Sequence, residues 1–177
     1  MVTAAFKIQK SKTDRLAEMA ATLAAGVTVD HMARRSKDAR RLADFYIETF
    51  GFEEVESPQV GHLKVIWLVL PAAFTMHIIQ CDQNHPSNQT NDTLPDPDPA
   101  KIPKGPHICF SVSNFEIFVQ KLKEKGFPSA HRPVEYNPTG SKKIEQVFFF
   151  DPDGNGLEVS DSMAVQWVAQ NRNVDLM

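Results

Sequence analysis

Three histidines and one glutamate stand at matching places in two halves of the 177-residue chain: His31 and His77 in the first, His107 and Glu158 in the second. Each half supplies one near its start and one near its end. If the halves fold alike, four side chains spaced in this way can converge on one point. Imidazole nitrogen and carboxylate oxygen are the donors that a divalent ion such as Zn, Ni, Mn or Fe takes. A lone strand histidine is more often a hydrogen-bonded core residue than a ligand, so the set carries the argument. Glu158 strengthens it. Between Leu157 and Val159 it is an isolated carboxylate in an apolar strand, costly to bury unless paired or metal-bound. His62, His85 and His131 have no counterpart in the other half and read as surface or structural residues.

The elements that must position these residues repeat as well. The first half runs VDHMARRSKDARRLADFYIETFGFEEV and closes near FTMHIIQ; the second runs GPHICFSVSNFEIFVQKLKEKGFPSAH and closes at FFFDPDGNGLEVSD. Each opens on a short extended stretch with a His and continues into an amphipathic helix that stops at Gly-Phe, Gly51-Phe52 or Gly126-Phe127. Each ends in strand-like segments. Two copies are too few for a solenoid, and a duplicated module closing into one barrel is the natural reading.

Strand alternation places Val29, His31, Ala33 and Arg35 on one face, Thr75, His77 and Ile79 on another, and His107, Cys109 and Ser111 on a third. Ser36 or Asp38 can cap the first helix, whose apolar stripe is Leu42, Phe45, Tyr46 and Thr49. Ser113 and Glu116 suggest a capping box for the second, with Phe115, Phe118, Val119 and Leu122 as its stripe. Phe45 and Phe118 are expected at equivalent places on the outer side of the sheet.

Composition narrows the function. The length suits one domain or two small fused modules. A net charge of −3 without a basic run argues against nucleic acid. No apolar run approaches the length of a membrane span. Two cysteines, Cys81 and Cys109, make no disulfide scaffold and point to a reducing compartment, the cytoplasm. Residues 1–26 read as a helical extension, with an organellar presequence as the alternative. Residues 27–162 form the domain, with modules 27–81 and 105–162 joined by a Pro-rich linker, 82–104, expected to lie outside the core. Residues 163–177 are a C-terminal tail.

DHMARR with DFYIETFGF, then FTMHIIQ, GPHICFSV and FFFDPDGNGLEV, occur in an order that resembles the vicinal oxygen chelate superfamily. That superfamily holds glyoxalase I, extradiol dioxygenases, fosfomycin-resistance thiol transferases and bleomycin-binding proteins. The DPDG turn before a hydrophobic-Glu-hydrophobic strand is the most specific match. The resemblance implies an α+β fold: two βαβββ modules forming a curved, barrel-like, eight-stranded mixed sheet round a metal. The site would lie within one chain, or between the two chains of a homodimer by module swapping. It maps the metal ligands to His31, His77, His107 and Glu158.

On this resemblance the function is a metal-dependent, glyoxalase I-like lyase or isomerase. Its substrate would be a small molecule chelating the metal through vicinal oxygens, for example the glutathione hemithioacetal of methylglyoxal. Glu158 would be ligand and base. Arg35, four residues after His31, falls where glyoxalase I binds the glutamyl carboxylate of glutathione, whereas Arg34 reads as the solvent-exposed neighbour. Three departures stand out: His77 replaces a common Glu, Cys81 an Asn, and Pro103 an Arg. Lys142 and Lys143 could form a positive lid but read more naturally as solvated. The alternatives are a non-haem Fe(II) dioxygenase built on His31, His107 and Glu158, a fosfomycin-type thiol transferase, and a non-catalytic binding module.

Overall fold

The computed structural model describes residues 11–13, 25–58, 61–71, 74–81, 98–135 and 143–161. The first half contains β1 (His31–Ser36), α1 (Ala39–Phe50), β2 (Glu53–Val55), β3 (Val65–Leu70) and β4 (Phe74–Gln80). A 3-10 helix, Pro99–Lys104, leads into the second: β5 (His107–Ser111), α2 (Phe115–Glu124), β6 (Ser129–His131), β7 (Val134–Glu135), β8 (Lys143–Ile144), β9 (Gln146–Phe150) and β10 (Gly156–Ser160). The sheet orders are β1-β4-β3-β2 and β5-β10-β9-β6, with a separate β7-β8 ribbon. In each sheet the module's first strand pairs in parallel with its last and the other pairs are antiparallel. The repeat is therefore a repeat of topology.

The fold is α+β with two βαβββ modules, as the sequence predicts. It departs from the expected closed, eight-stranded arrangement, because among the described residues no strand of one sheet pairs with a strand of the other. The physical reason lies in the core. Phe50 at the end of α1 stacks on Phe110 at 4.2 Å and on Phe118 at 5.8 Å, while Phe45 meets Phe127 edge-on at 5.6 Å. Alternating strand residues, Met76, Ile78 and Leu68 in one sheet and Phe110, Val147, Phe149, Leu157 and Val159 in the other, bury into this shared cluster. Each aromatic pair contributes about 0.5–1.5 kcal/mol beyond area burial. The partly exposed ion pair between Arg41 and Asp153, which also spans the halves, contributes less than about 1 kcal/mol. Apolar packing therefore fixes how the modules sit, and it turns the faces opposite the core outward.

The helices begin and end for local reasons. Asp38, not Ser36, caps α1, accepting from Arg41 N at 3.0 Å, and Gly51 ends the helix at φ 75°. The expected capping box of α2 is displaced by one residue, with Asn114 as the cap accepting from Ile117 N. Counted from these caps, Phe118 corresponds to Leu42 rather than to Phe45, so the expected Phe45–Phe118 equivalence does not hold. Phe45 packs on the other module instead.

The linker also differs from expectation. Its last stretch is the 3-10 helix, and Ile102 is only 4% exposed. Ile102 rests against Gly156: a Cβ there would lie 3.0 Å from Ile102 Cγ2 and 3.0 Å from the Pro106 carbonyl oxygen. Most of the N-terminal extension, linker residues 82–97 with His85, Lys142 and the C-terminal tail fall outside the described residues.

Candidate functional site

The two parallel strand pairs hold their chemistry in the same register. His31 pairs with Thr75, and His77 lies two residues further along β4. His107 pairs with Gly156, and Glu158 lies two residues further along β10. A step of two keeps a side chain on the same face, so each sheet presents a diagonal pair of donors. An aromatic stands across from the second donor in each sheet: Trp67 opposite His77 and Phe148 opposite Glu158.

In the first sheet the rings stack. His31 and His77 have centroids 4.1 Å apart, and Trp67 stacks on the other side of His77 at 4.0 Å. In the second, His107 Nε2 is 2.9 Å from Glu158 Oε2, and Gln146 Nε2 donates to Glu158 Oε1 at 2.5 Å. The first histidine of each pair is anchored through Nδ1, His31 by the Asp30 carboxylate at 2.7 Å and His107 by the Gly105 carbonyl at 2.9 Å. Anchoring Nδ1 turns Nε2 toward a ligand, as in metal sites oriented by outer partners; on His107 that nitrogen faces Glu158 Oε2.

Burial, then the neighbouring His31, push the His77 pKa down against the pull of Asp30. This favours the neutral imidazole that a metal needs. Burial, then the charge of Glu158, push the Cys109 thiol up to about 12, so it stands beside the carboxylate as a neutral group.

Residues 28–159 match the family described as the Glyoxalase/Bleomycin resistance protein/Dioxygenase superfamily. The chain belongs to this superfamily. It is 25% identical to Glyoxylase I 4 of Arabidopsis thaliana over 140 residues, covering 78% of this chain and 74% of that protein. It is 27% identical to the uncharacterized protein YwkD of Bacillus subtilis over 135 residues, covering 75% and 94%. The fold is also that of the fosfomycin resistance protein FosX from Listeria monocytogenes, with a TM-score of 0.55 at 18% identity, covering 80% and 97%.

The four expected ligands do not converge within one chain. They meet as two pairs, and among the described residues no three His, Cys, Asp or Glu side chains are placed to hold one metal ion. The shared core explains this. His31, Ala33 and Arg35 alternate with core-facing residues and are exposed, as are His107, Cys109 and Ser111, so the two ligand faces flank the core from outside. The donors fit a divalent ion in kind, two imidazoles from one face and an imidazole–carboxylate pair from the other. Each pair alone provides two of the four donors that a tetrahedral ion takes.

The two arginines take opposite faces of β1. Arg35 is exposed on the His31 face. Arg34, read from the sequence as a surface residue, turns inward, and its Nη1 donates to Asn155 Oδ1 at 2.9 Å. It joins a polar network that crosses between the halves. Tyr46 OH donates to Asp151 Oδ2 at 3.0 Å, Asn155 Nδ2 donates to the same oxygen, and Asp151 Oδ1 accepts from the backbone of Asp153 and Asn155. Burial pushes both the Tyr46 and Asp151 pKa values up.

The other expectations resolve simply. Cys81 and Cys109 are both free thiols. Lys143 and His131 both contact Glu145, and His62 is exposed in a turn. No helix among the described residues is long and apolar enough to cross a membrane. Sequence reasoning missed Trp67, Gln146 and Asp30. Gln146 did leave a trace, as a lone amide at the start of the apolar run QVFFF.

Proposed function

We propose that this chain is a metal-dependent enzyme of the glyoxalase I type, a lyase or isomerase, whose site forms between two copies of the chain. His31 and His77 of one copy would hold a divalent ion together with His107 and Glu158 of the partner subunit. The observation that supports this reading is the split of four complementary donors into two pairs with identical register, each on the side of its sheet away from the shared core, with Glu158 itself buried. A second observation supports a partner at the first face. Val27 and Val29 lead into His31 and are 74% and 81% exposed, and apolar residues of that size gain about 1.5–3 kcal/mol each when fully covered.

When bound, a divalent ion supplies Lewis acidity to two adjacent substrate oxygens. The substrate class is a small molecule with vicinal oxygens, such as the glutathione hemithioacetal of methylglyoxal. FosX from Listeria monocytogenes, crystallised with Mn(II) and 1S,2S-dihydroxypropylphosphonic acid, lends support to that pairing of ion and ligand. Glu158 takes the proton from one substrate carbon and returns it to the neighbouring carbon. His77, standing where glyoxalase I commonly has Glu, leaves Glu158 as the single carboxylate among the donors. Arg35, on the His31 face, is suited to a bidentate contact with a substrate carboxylate. Two free thiols fit the reducing cytoplasm.

Mixing two inactive variants tests the assembly. One carries His31→Ala and His77→Ala, the other His107→Ala and Glu158→Gln. After subunit exchange, a heterodimer contains one wholly mutated site and one intact site. Recovery of activity toward methylglyoxal plus glutathione, with one tightly bound ion per heterodimer, is the expected result. A mixture that stays inactive while each wild-type chain binds its own ion as a monomer sinks the shared site. Wild type that turns over catechols under Fe(II) but not the hemithioacetal sinks the lyase reading.

A further inference from the structure

We propose that Gln146 is the positioning residue for Glu158; the proposal rests on the metal-site reading above and assigns that site an outer partner. Three observations meet here. First, Gln146 Nε2 donates to Oε1 at 2.5 Å while His107 Nε2 lies at 2.9 Å from Oε2, so the two oxygens of one carboxylate are divided between two partners. Second, Glu158 is buried, at 7% exposure, and a buried carboxylate without a donor costs several kcal/mol. Third, the repeat provides a control within the molecule. Gln146 pairs with Ser160, two residues past Glu158. Its counterpart in the first sheet is Val65, which pairs with Ile79, two residues past His77. Where the second donor is imidazole, the corresponding residue is apolar and cannot donate. Where the donor is a carboxylate, it is an amide.

The chemistry follows from the amide. A neutral donor holds Oε1 in place without cancelling the negative charge, as a Lys or Arg would. Oε2 is then the oxygen presented beside His107 Nε2 to an ion or to a substrate proton. Gln146 touches neither and acts through Glu158. The other groups facing the carboxylate are the Cys109 thiol, which burial and Glu158 itself keep neutral, and the Phe148 ring across the strand. Gln146 is thus the amide donor on Oε1, and the Cys109 thiol is a second, weaker neutral donor to the same carboxylate.

Cobalt(II) titration of the full-length protein, followed by its visible absorption, tests this with a readout other than turnover. Gln146→Leu is expected to weaken Co(II) binding about tenfold, the lower end for loss of an outer partner, and to shift the visible bands as the carboxylate reorients. Gln146→Val, copying the first sheet, should do the same and serves if the Leu variant does not fold. In a Glu158→Gln background, Gln146→Leu should have no further effect, since the two residues act as one unit. Wild-type affinity and spectrum in both Gln146 variants overturn the proposal and leave the metal site standing, and so does an equal loss in the Glu158→Gln background. Wild-type protein that binds no Co(II) overturns the metal site and this proposal together.

Discussion

The two halves of the molecule share topology and register but prepare their donors differently. In the second, Glu158 is buried, its oxygens are divided between His107 and Gln146, and the 3-10 helix lies against its strands. In the first, His31 and His77 stack on each other and on Trp67, on a face whose β1 residues stand open to solvent. A buried charge needs its partners in place before any ligand arrives, because desolvation must be compensated within the fold. Neutral imidazoles carry no such requirement and can wait on an open face. The half that bears the carboxylate is therefore the organised one, and the half that bears two imidazoles is the receptive one.

The substitution that separates the halves most is Glu158→Gln. It should lower kcat by about 10² or more, the usual contribution of a positioned base, while the fold is retained. His77→Gln, on the half with no carboxylate donor, should change kcat far less at saturating metal. Steady-state rates with the hemithioacetal decide, and a Glu158→Gln enzyme as fast as wild type removes the base from this half.

Next in size is Gly156→Ala. The added Cβ meets Ile102 and the Pro106 carbonyl at 3.0 Å, with the His107 Cβ at 3.3 Å. A backbone carbonyl cannot yield as a side chain does, so a loss of about 1–3 kcal/mol in urea unfolding is expected. The same position in the first half is Thr75, the partner of His31, and Thr75→Ala should stay within about 0.5 kcal/mol as a substitution away from tight packing. Equal losses at both positions contradict the asymmetry.

The smallest effect concerns the β9–β10 turn, whose side chains contact the first half. Burial raises the Asp151 pKa above its ordinary carboxylate value, against the pull of its hydrogen bonds and Arg34. A raised folded-state pKa means that the protonated form is favoured on folding. The stabilising contribution is complete below the unfolded value and is lost as pH rises through the folded one. Relative to the non-titrating Asp151→Asn variant, wild type should therefore lose stability as pH climbs out of the ordinary carboxylate range. Urea midpoints of the two proteins across that range test it; parallel curves would falsify the shift.

Much of the fold was legible because it is written locally. Gly51 and Gly126 mark where the helices end, and both adopt positive φ. Alternation identified the faces of β1, β4 and β5 correctly. The caps were legible only to within a residue or two, since Ser36, Asp38, Ser113 and Asn114 can all accept from a helix N-terminus and backbone geometry chooses among them. Arg34 was misread for another reason. Alternation separates two faces but does not say which one the core takes, and Arg34 lies on the core side because Asn155 and Asp151 from the other half are there to receive it.

By itself the sequence determined the two modules, the candidate donor residues and their matched places, since strand period and helix stops depend on neighbours along the chain. The tertiary structure alone decided that these side chains separate into two pairs, one open and one with its carboxylate buried. That choice follows from which apolar faces bury together, Phe45 and Phe50 against Phe110, Phe118 and Phe127. These contacts join residues from opposite halves of the chain, and their energy depends on the shape of the whole core, which no local pattern encodes.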